Sequence, residues 1–216
     1  MAGTSHQYCR TACSTEDSLD DVTTARLATR GPARREALLD ELVDVFLTEG
    51  FATFTLDELA RRLHCSKSTL YAVAGSKEQL VVAAVRRFFA RATLAVESRA
   101  AEPTDAGERL HAYLLAVSDQ LRPAGPAFFA DLAAFPPAAE VYARNTRTAA
   151  RRVQQLVSDG VDAGTVRPVH ASFVGAAVAQ VMAAIHSGEI TAATGLDDAA
   201  AYAELADLVV AGLRRP

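Results

Sequence analysis

Residues 55–71, TLDELARRLHCSKSTLY, contain the strongest local structural signals in this chain. Thr55 and Glu58 form a capping box, in which each side chain accepts a hydrogen bond from the other residue's backbone N–H. A helix is therefore predicted to begin at Thr55 and to end near His64. Ser66 is a suitable N-cap for a second short helix, so the stretch predicts two short helices joined by a tight turn.

The flanking sequence predicts further helices around this pair. Pro32 tolerates the first turn of a helix, and apolar residues recur at helical spacing from there until Gly50. Ser76 and Gln79 form a second capping box, at the start of a long helix that extends to about Ala101. Five more helical stretches are predicted, at about residues 105–121, 126–134, 138–160, 170–188 and 197–214.

Composition supports an all-α protein with an N-terminal three-helix unit. Half of the residues are hydrophobic, Trp is absent, and Gly and Pro number only 12 and 8. This balance favours packed helices over short strands. Three segments are predicted: a flexible arm at 1–31, a helix-turn-helix domain at 32–78, and a second helical domain at 79–216.

Charge and cysteine content indicate where the protein resides and what it binds. The net charge is −4, but the excess of acidic residues lies beyond residue 100, which leaves room for a basic face near Lys67. Three cysteines are too few for a disulfide framework, and the sequence shows neither a secretory signal nor a long apolar run. We therefore expect a cytoplasmic protein with no membrane contact. Cys9, Cys13 and His6 lack a fourth ligand, so no metal is expected.

The paired short helices predict contact with DNA. This arrangement places its second helix in the major groove, buries one face of that helix and exposes small polar and cationic side chains on the other. Leu70 is the expected buried residue, and Lys67, Ser68 and Thr69 are the expected exposed ones. The helix N-termini near residues 55 and 76 present backbone N–H groups to phosphate, and Lys77 would reinforce the second.

These motifs resemble those of the tetracycline-repressor-like (TetR) family of regulators. The resemblance covers about residues 35–85 and rests on Gly50-Phe51, on TLDELA at 55–60, on SKSTLY at 66–71 and on SKEQL at 76–80. It implies about nine helices, a homodimer paired through its last two helices, and repression of a palindromic double-stranded DNA operator that a small molecule relieves. It implies no cofactor. The DNA-contacting residues implied are Thr55, Ser66, Lys67, Ser68, Thr69, Tyr71 and Lys77.

Two positions depart from the family pattern. Leu63-His64 occupies a turn where the family has a small residue and Gly, and a non-Gly residue in a left-handed turn costs about 1 kcal/mol. Val73-Ala74 replaces a His-Phe pair that packs the recognition helix against the fourth helix. The second departure bears on DNA affinity.

An effector site is predicted in the C-terminal domain. An ordinary core is the more common role for its candidate lining residues, because apolar side chains at helical spacing are usually buried. We expect a small apolar or amphipathic effector, with a histidine as polar contact. The candidates are His111, Tyr113, Phe128, Phe129, Tyr142, Met182 and His186.

Alternative functions are a helical protein that sequesters a small molecule or a protein partner, and, more remotely, an enzyme. Val73-Ala74 and the acidic net charge favour the first, in which the helix-turn-helix is degenerate. The five histidines lie in no recognisable catalytic motif, so catalysis is not expected. Cys65 is expected to be a small apolar residue of the turn and not a redox switch.

Overall fold

The computed structural model describes the backbone of residues 17–214 and the side chains of residues 33–214 apart from His186. This part of the chain is all-α, as predicted. It contains the helices α1 (Asp17–Glu49), α2 (Leu56–Arg62), α3 (Lys67–Val73), α4 (Lys77–Ala101), α5 (Ala106–Leu121), α6 (Pro126–Ala134), α7 (Pro136–Asp162), α8 (Ala171–His186), α9 (Glu189–Thr194) and α10 (Asp198–Leu213).

The first helix is longer than predicted. It begins at Asp17, so residues 17–31, predicted as part of a flexible arm, continue α1 toward its N-terminus. Pro32, expected in the first turn, therefore lies inside α1. Adding residues to an existing helix costs less than nucleating a new one, so a stretch of modest helix propensity can continue α1. Residues 1–16 of the predicted arm, with Cys9, Cys13 and His6, lie outside the described residues. The predicted domain boundaries stay predictions.

A short helix was also missed between the last two predicted ones. Helix α9 spans Glu189–Thr194, and glycines with positive φ, Gly188 and Gly195, flank it. Six residues are too few to show a helical period, so the sequence pattern did not reveal it. The described residues thus contain one helix more than the nine that the resemblance implies.

Helix α1 crosses the boundary between two units of the chain, residues 1–37 and 38–216. The buried residues of the second unit form one continuous hydrophobic cluster that includes Leu42 of α1, Leu59 of α2, Leu70 of α3 and Leu80 of α4. Each of these leucines is at most 1% exposed, so the two short helices are anchored by their apolar sides.

Helix α4 connects the short helices to the rest of this unit. Its buried side chains extend from Leu80 near its start to Ala100 near its end. Asp40 of α1 binds Arg87 and Arg91 of α4, with Nε of Arg87 donating at 2.8 Å and Nη1 of Arg91 at 2.9 Å. The arginines lower the pKa of Asp40 to about 2, mainly through the Arg87 hydrogen bond. None of the described helices is long and apolar enough to cross a membrane.

Candidate nucleic-acid interface

The turn between α2 and α3 contains the left-handed backbone conformation that the sequence predicted. His64 is the one described non-glycine residue with positive φ, at 48°. The backbone N–H of Cys65 donates to the carbonyl of Ala60 at 2.9 Å and closes the turn. Cys65 itself is partly buried against the hydrophobic core. The predicted left-handed residue is therefore present.

Helix α3 is buried on one side and exposed on the other. Leu70 and Val73 face the core at 1% and 8% exposure, whereas Tyr71 is 51% exposed. Lys67 and Ser68 are exposed and Thr69 is partly exposed. The side chains predicted to contact DNA are thus accessible on a helix whose opposite side is anchored.

The hydroxyl groups at the start of α3 bind one another. Ser66 Oγ lies 2.7 Å from Ser68 Oγ and 2.8 Å from Thr69 Oγ1, and it accepts the backbone N–H of Thr69 at 3.1 Å. Ser66 thus acts as the predicted N-cap. The cluster pre-orders the first turn of α3 and holds three polar side chains together at its exposed end.

The capping box at α2 is also present. The Glu58 carboxylate accepts the backbone N–H of Thr55 at 2.7 Å and its hydroxyl at 2.8 Å. These hydrogen bonds, with the one from the backbone N–H first, lower the pKa of Glu58. Thr55 is exposed at the N-terminus of α2, but its side chain is already engaged within the helix.

The two lysines predicted to contact phosphate have protein partners. Lys67 Nζ lies 2.7 Å from Oδ1 of Asp57 on α2, and both side chains are exposed. Lys77 Nζ donates to the backbone carbonyl of Ala52 at 2.9 Å. A phosphate would therefore have to replace these contacts or add to them. The sequence pattern predicted the two lysines as phosphate contacts but gave no sign of their partners, Asp57 and the carbonyl of Ala52.

Further basic side chains lie beside this surface. Arg61 and His64 are exposed and line a shallow cleft with Thr53, Phe54, Glu58 and Arg62. Arg62 is paired with Glu49 of α1. The cleft places Arg61 beside the loop that precedes α2.

A cavity in the C-terminal part of the chain contains some of the predicted effector residues. It has a volume of about 70 Å³, and Tyr113, Tyr142 and Met182 line it. Phe128 lies instead in an aromatic cluster with Phe51 and Phe88, at centroid distances of 6.3 and 5.8 Å.

The other predicted effector residues lie elsewhere or are not described. Phe129 does not line the cavity but packs against Tyr142, with the two ring centroids 6.2 Å apart. His111 lines a different cleft, and its Nε2 lies 3.8 Å from Asp207. The His186 side chain is outside the described set. The structure therefore brings three of the seven predicted residues to one cavity.

The cavity wall combines aromatic rings with several polar and charged side chains. Thr146 is 8% exposed, and its buried Oγ1 has no hydrogen-bond partner among the described residues. Glu97 and Arg152 also line the cavity and neutralise each other, with Arg152 Nε donating to Glu97 at 3.0 Å. Burial raises the pKa of Tyr113 and of Tyr142, so both phenols are neutral. The sequence offered no signal for Thr146, because it lies among other polar residues of α7.

The described residues thus form an all-α protein in which α2 and α3 make a helix-turn-helix with α3 exposed on one side. Comparisons with known proteins bear on this arrangement. Residues 38–84 match the family described as bacterial regulatory proteins, tetR family. The chain therefore carries the N-terminal segment of the TetR family, and the resemblance found in the sequence is confirmed. The search of curated proteins found no match.

Solved structures share the fold beyond that segment. A putative transcriptional regulator from Saccharomonospora viridis in complex with choline is 16% identical, with a TM-score of 0.69 over 86% of this chain and 100% of that one. A TetR-family regulator from Cytophaga hutchinsonii is 16% identical, with a TM-score of 0.66 over 87% and 98%. A TetR/AcrR-family regulator from Thermobifida fusca is 21% identical, with a TM-score of 0.60 over 85% and 100%. The chain thus has the fold of TetR-family transcriptional regulators.

Proposed function

We propose that this protein is a dimeric repressor that binds a palindromic DNA operator through α3 and is released by a small molecule. The observation that carries the proposal is the accessibility of Lys67, Ser68 and Tyr71 on a helix whose opposite side, at Leu70, is 1% exposed. A helix anchored in this way can enter the major groove without exposing the core. Thr55, Ser66, Thr69 and Lys77 complete the proposed DNA-contact face.

The twofold character of the operator follows from the dimer. A C2 dimer presents two α3 helices about one helical turn of DNA apart, so the two half-sites are related by a pseudo-twofold axis. Exposed apolar side chains on the last long helices, Phe173 at 71% and Leu208 at 73%, support pairing through α8 and α10. The proposed repressor acts in the cytoplasm. It has no enzymatic activity.

We assign the effector to the cavity lined by Tyr113, Tyr142 and Met182. The aromatic wall suits an apolar body, and the buried hydroxyl of Thr146 suits one hydrogen-bonding group. The structurally similar regulator from S. viridis was solved in complex with choline, a small cation that carries a hydroxyl group. Because Glu97 is already neutralised by Arg152, the wall favours an uncharged amphipathic molecule in this chain.

The test is selection of bound DNA from a random pool at near-physiological salt. We expect enrichment of a twofold-symmetric site, with binding lost in Lys67→Ala and in Tyr71→Ala. Arg144→Ala, an exposed cation on α7 paired with Glu140, is the matched control and should bind normally. Failure to enrich any site, or equal binding by Lys67→Ala and the parent protein, would refute the proposal.

The second candidate is a sequestering protein whose DNA-binding unit has degenerated. The observation in its favour is Ala74, a small residue packed against the core at the position where the family has the Phe of its His-Phe pair. Salt dependence separates the two functions. A repressor loses DNA affinity steeply as salt rises because phosphate contacts release counterions, whereas a sequestering protein forms no specific complex.

A further inference from the structure

Helix α6 carries a single charged residue, Asp131, and this carboxylate binds the loop that connects α1 to α2. We call this segment, residues 50–53, the head loop. Asp131 Oδ2 accepts the backbone N–H of Phe51 at 2.5 Å and that of Ala52 at 2.7 Å. Hydrogen bonds to an ionised acceptor are shorter and about twice as strong as neutral ones. One side chain of α6 therefore holds two consecutive peptides of the head loop.

The same loop holds Lys77. Ala52 donates its N–H to Asp131 and accepts Lys77 Nζ at its carbonyl, at 2.9 Å. The residue thus links an acidic group of α6 to a cation at the start of α4. Asp131 and Lys77 thus bind the N–H and the carbonyl of the same residue, and both contacts depend on the orientation of the Ala52 backbone.

The close approach of α6 depends on Gly50. Its φ is +75°, and a Cβ built there would lie 2.5 Å from Asp131 Oδ2 and 3.2 Å from Ala127 Cβ. The N–H of Gly125, which precedes α6, also donates to the carbonyl of Leu47 at 2.7 Å. Helix α6 is thus bound to the end of α1 at two separate points.

We propose that Asp131 is a positioning residue for DNA binding, which orients Lys77 through the head loop. The proposal rests on the proposed DNA-binding function and extends it to a residue of α6. Lys77 is the first residue of α4, and its ammonium group is held at the head loop by the carbonyl of Ala52, the residue whose N–H Asp131 accepts.

Helix α6 also packs against a residue of the effector cavity. The rings of Phe129 on α6 and Tyr142, which lines the cavity, have centroids 6.2 Å apart, and those of Phe128 and Phe51 of the head loop are 6.3 Å apart. The helix that carries Asp131 therefore lies between the cavity wall and the head loop.

The experiment compares Asp131→Ala and the milder Asp131→Asn with Asp119→Ala, an exposed aspartate of α5 whose partner is Arg122. Hydrogen exchange of full-length protein measures protection of the Phe51 and Ala52 amides. Operator affinity is measured by fluorescence anisotropy. We expect lost protection and about tenfold weaker DNA binding in the Asp131 variants, and neither change in Asp119→Ala.

The effect should pass through Lys77. In a Lys77→Gln background, Asp131→Ala should weaken DNA binding by less than about threefold, because the cation that it positions is gone. An additive loss, or undiminished protection of Phe51 and Ala52 in Asp131→Asn, overturns the proposal. If the parent protein binds no DNA, the proposed function fails, whereas the exchange measurement still decides whether Asp131 holds the loop.

Discussion

At the scale of single residues, the charges beside α3 set how strongly its cations meet DNA. The Asp57 carboxylate lies 2.7 Å from Lys67 Nζ and belongs to the face proposed to contact phosphate. Such an exposed pair contributes little to stability, about 0 to 1 kcal/mol. Its larger effect is on binding, because the carboxylate competes with phosphate for the same ammonium group.

Replacing Asp57 should therefore strengthen DNA binding. Asp57→Asn frees Lys67 and removes a negative charge from the contact face, so we expect about threefold tighter operator binding and a steeper salt dependence. Anisotropy titrations at several salt concentrations measure both. Asp162→Asn, an exposed change of the same charge at the end of α7, is the control. Weaker binding by Asp57→Asn would show that Asp57 orients Lys67 instead of masking it.

Asp198 predicts a pH dependence of stability. Burial, with a smaller contribution from Asp197, raises its pKa from 3.8 to about 6. The folded state therefore binds this proton more tightly than the unfolded state, and the free energy of unfolding decreases as the pH rises from about 4 to about 6. Above that range the buried charge remains a constant penalty.

Asp198→Asn should remove that penalty. Allowing for partial exposure to solvent, we expect the variant to be about 1 kcal/mol more stable at pH 7.5 and no more stable than the parent at pH 4. Urea unfolding at the two pH values measures this. Glu204→Gln on the same helix is exposed and should leave the profile unchanged. If Asp198→Asn and the parent protein showed the same dependence of stability on pH, that dependence would come from other groups.

At the scale of helices and loops, the join between α1, α2 and α6 tolerates only glycine at position 50. Gly50→Ala combines an unfavourable left-handed backbone with a Cβ 2.5 Å from Asp131 Oδ2. We expect the free energy of unfolding to fall by about 2 kcal/mol or more.

A matched glycine separates the two causes. Gly188 has a φ of +77° with nothing within 4 Å of its added Cβ, so Gly188→Ala should cost only the backbone term, about 1 kcal/mol. Urea unfolding of both variants gives the difference. If the two variants lost the same free energy of unfolding, the head loop would have moved away from Asp131 in Gly50→Ala at little cost.

At the scale of the whole molecule, the exposed apolar residues of α8 and α10 predict the oligomeric state. A charge placed at a buried apolar interface is strongly unfavourable. Leu208→Glu should therefore dissociate the proposed dimer and weaken operator binding. Light scattering after size exclusion measures the mass of the particle.

Leu94→Glu is the control, because Leu94 is 74% exposed on α4 and lies outside the proposed interface. It should remain dimeric. A monomeric parent protein, or a Leu208→Glu variant that stays dimeric, would contradict pairing through this face.

The sequence by itself determined the local features of this protein. Capping at Thr55, Ser66 and Ser76, the left-handed turn at His64 and the exposure of Tyr71 all follow from hydrogen bonds and helical periodicity within a few residues. Such interactions depend on neighbours in the chain, so one sequence suffices to predict them. The TetR resemblance had the same basis and was confirmed.

Only the tertiary structure decided which distant residues meet. Asp131 reaches Phe51 across 80 positions and Arg152 reaches Glu97 across 55. No periodicity encodes such pairings, because they depend on how the helices pack. For the same reason, Phe128 was expected at an effector site and lies in an aromatic cluster, whereas Thr146, without any sequence signal, lines the cavity.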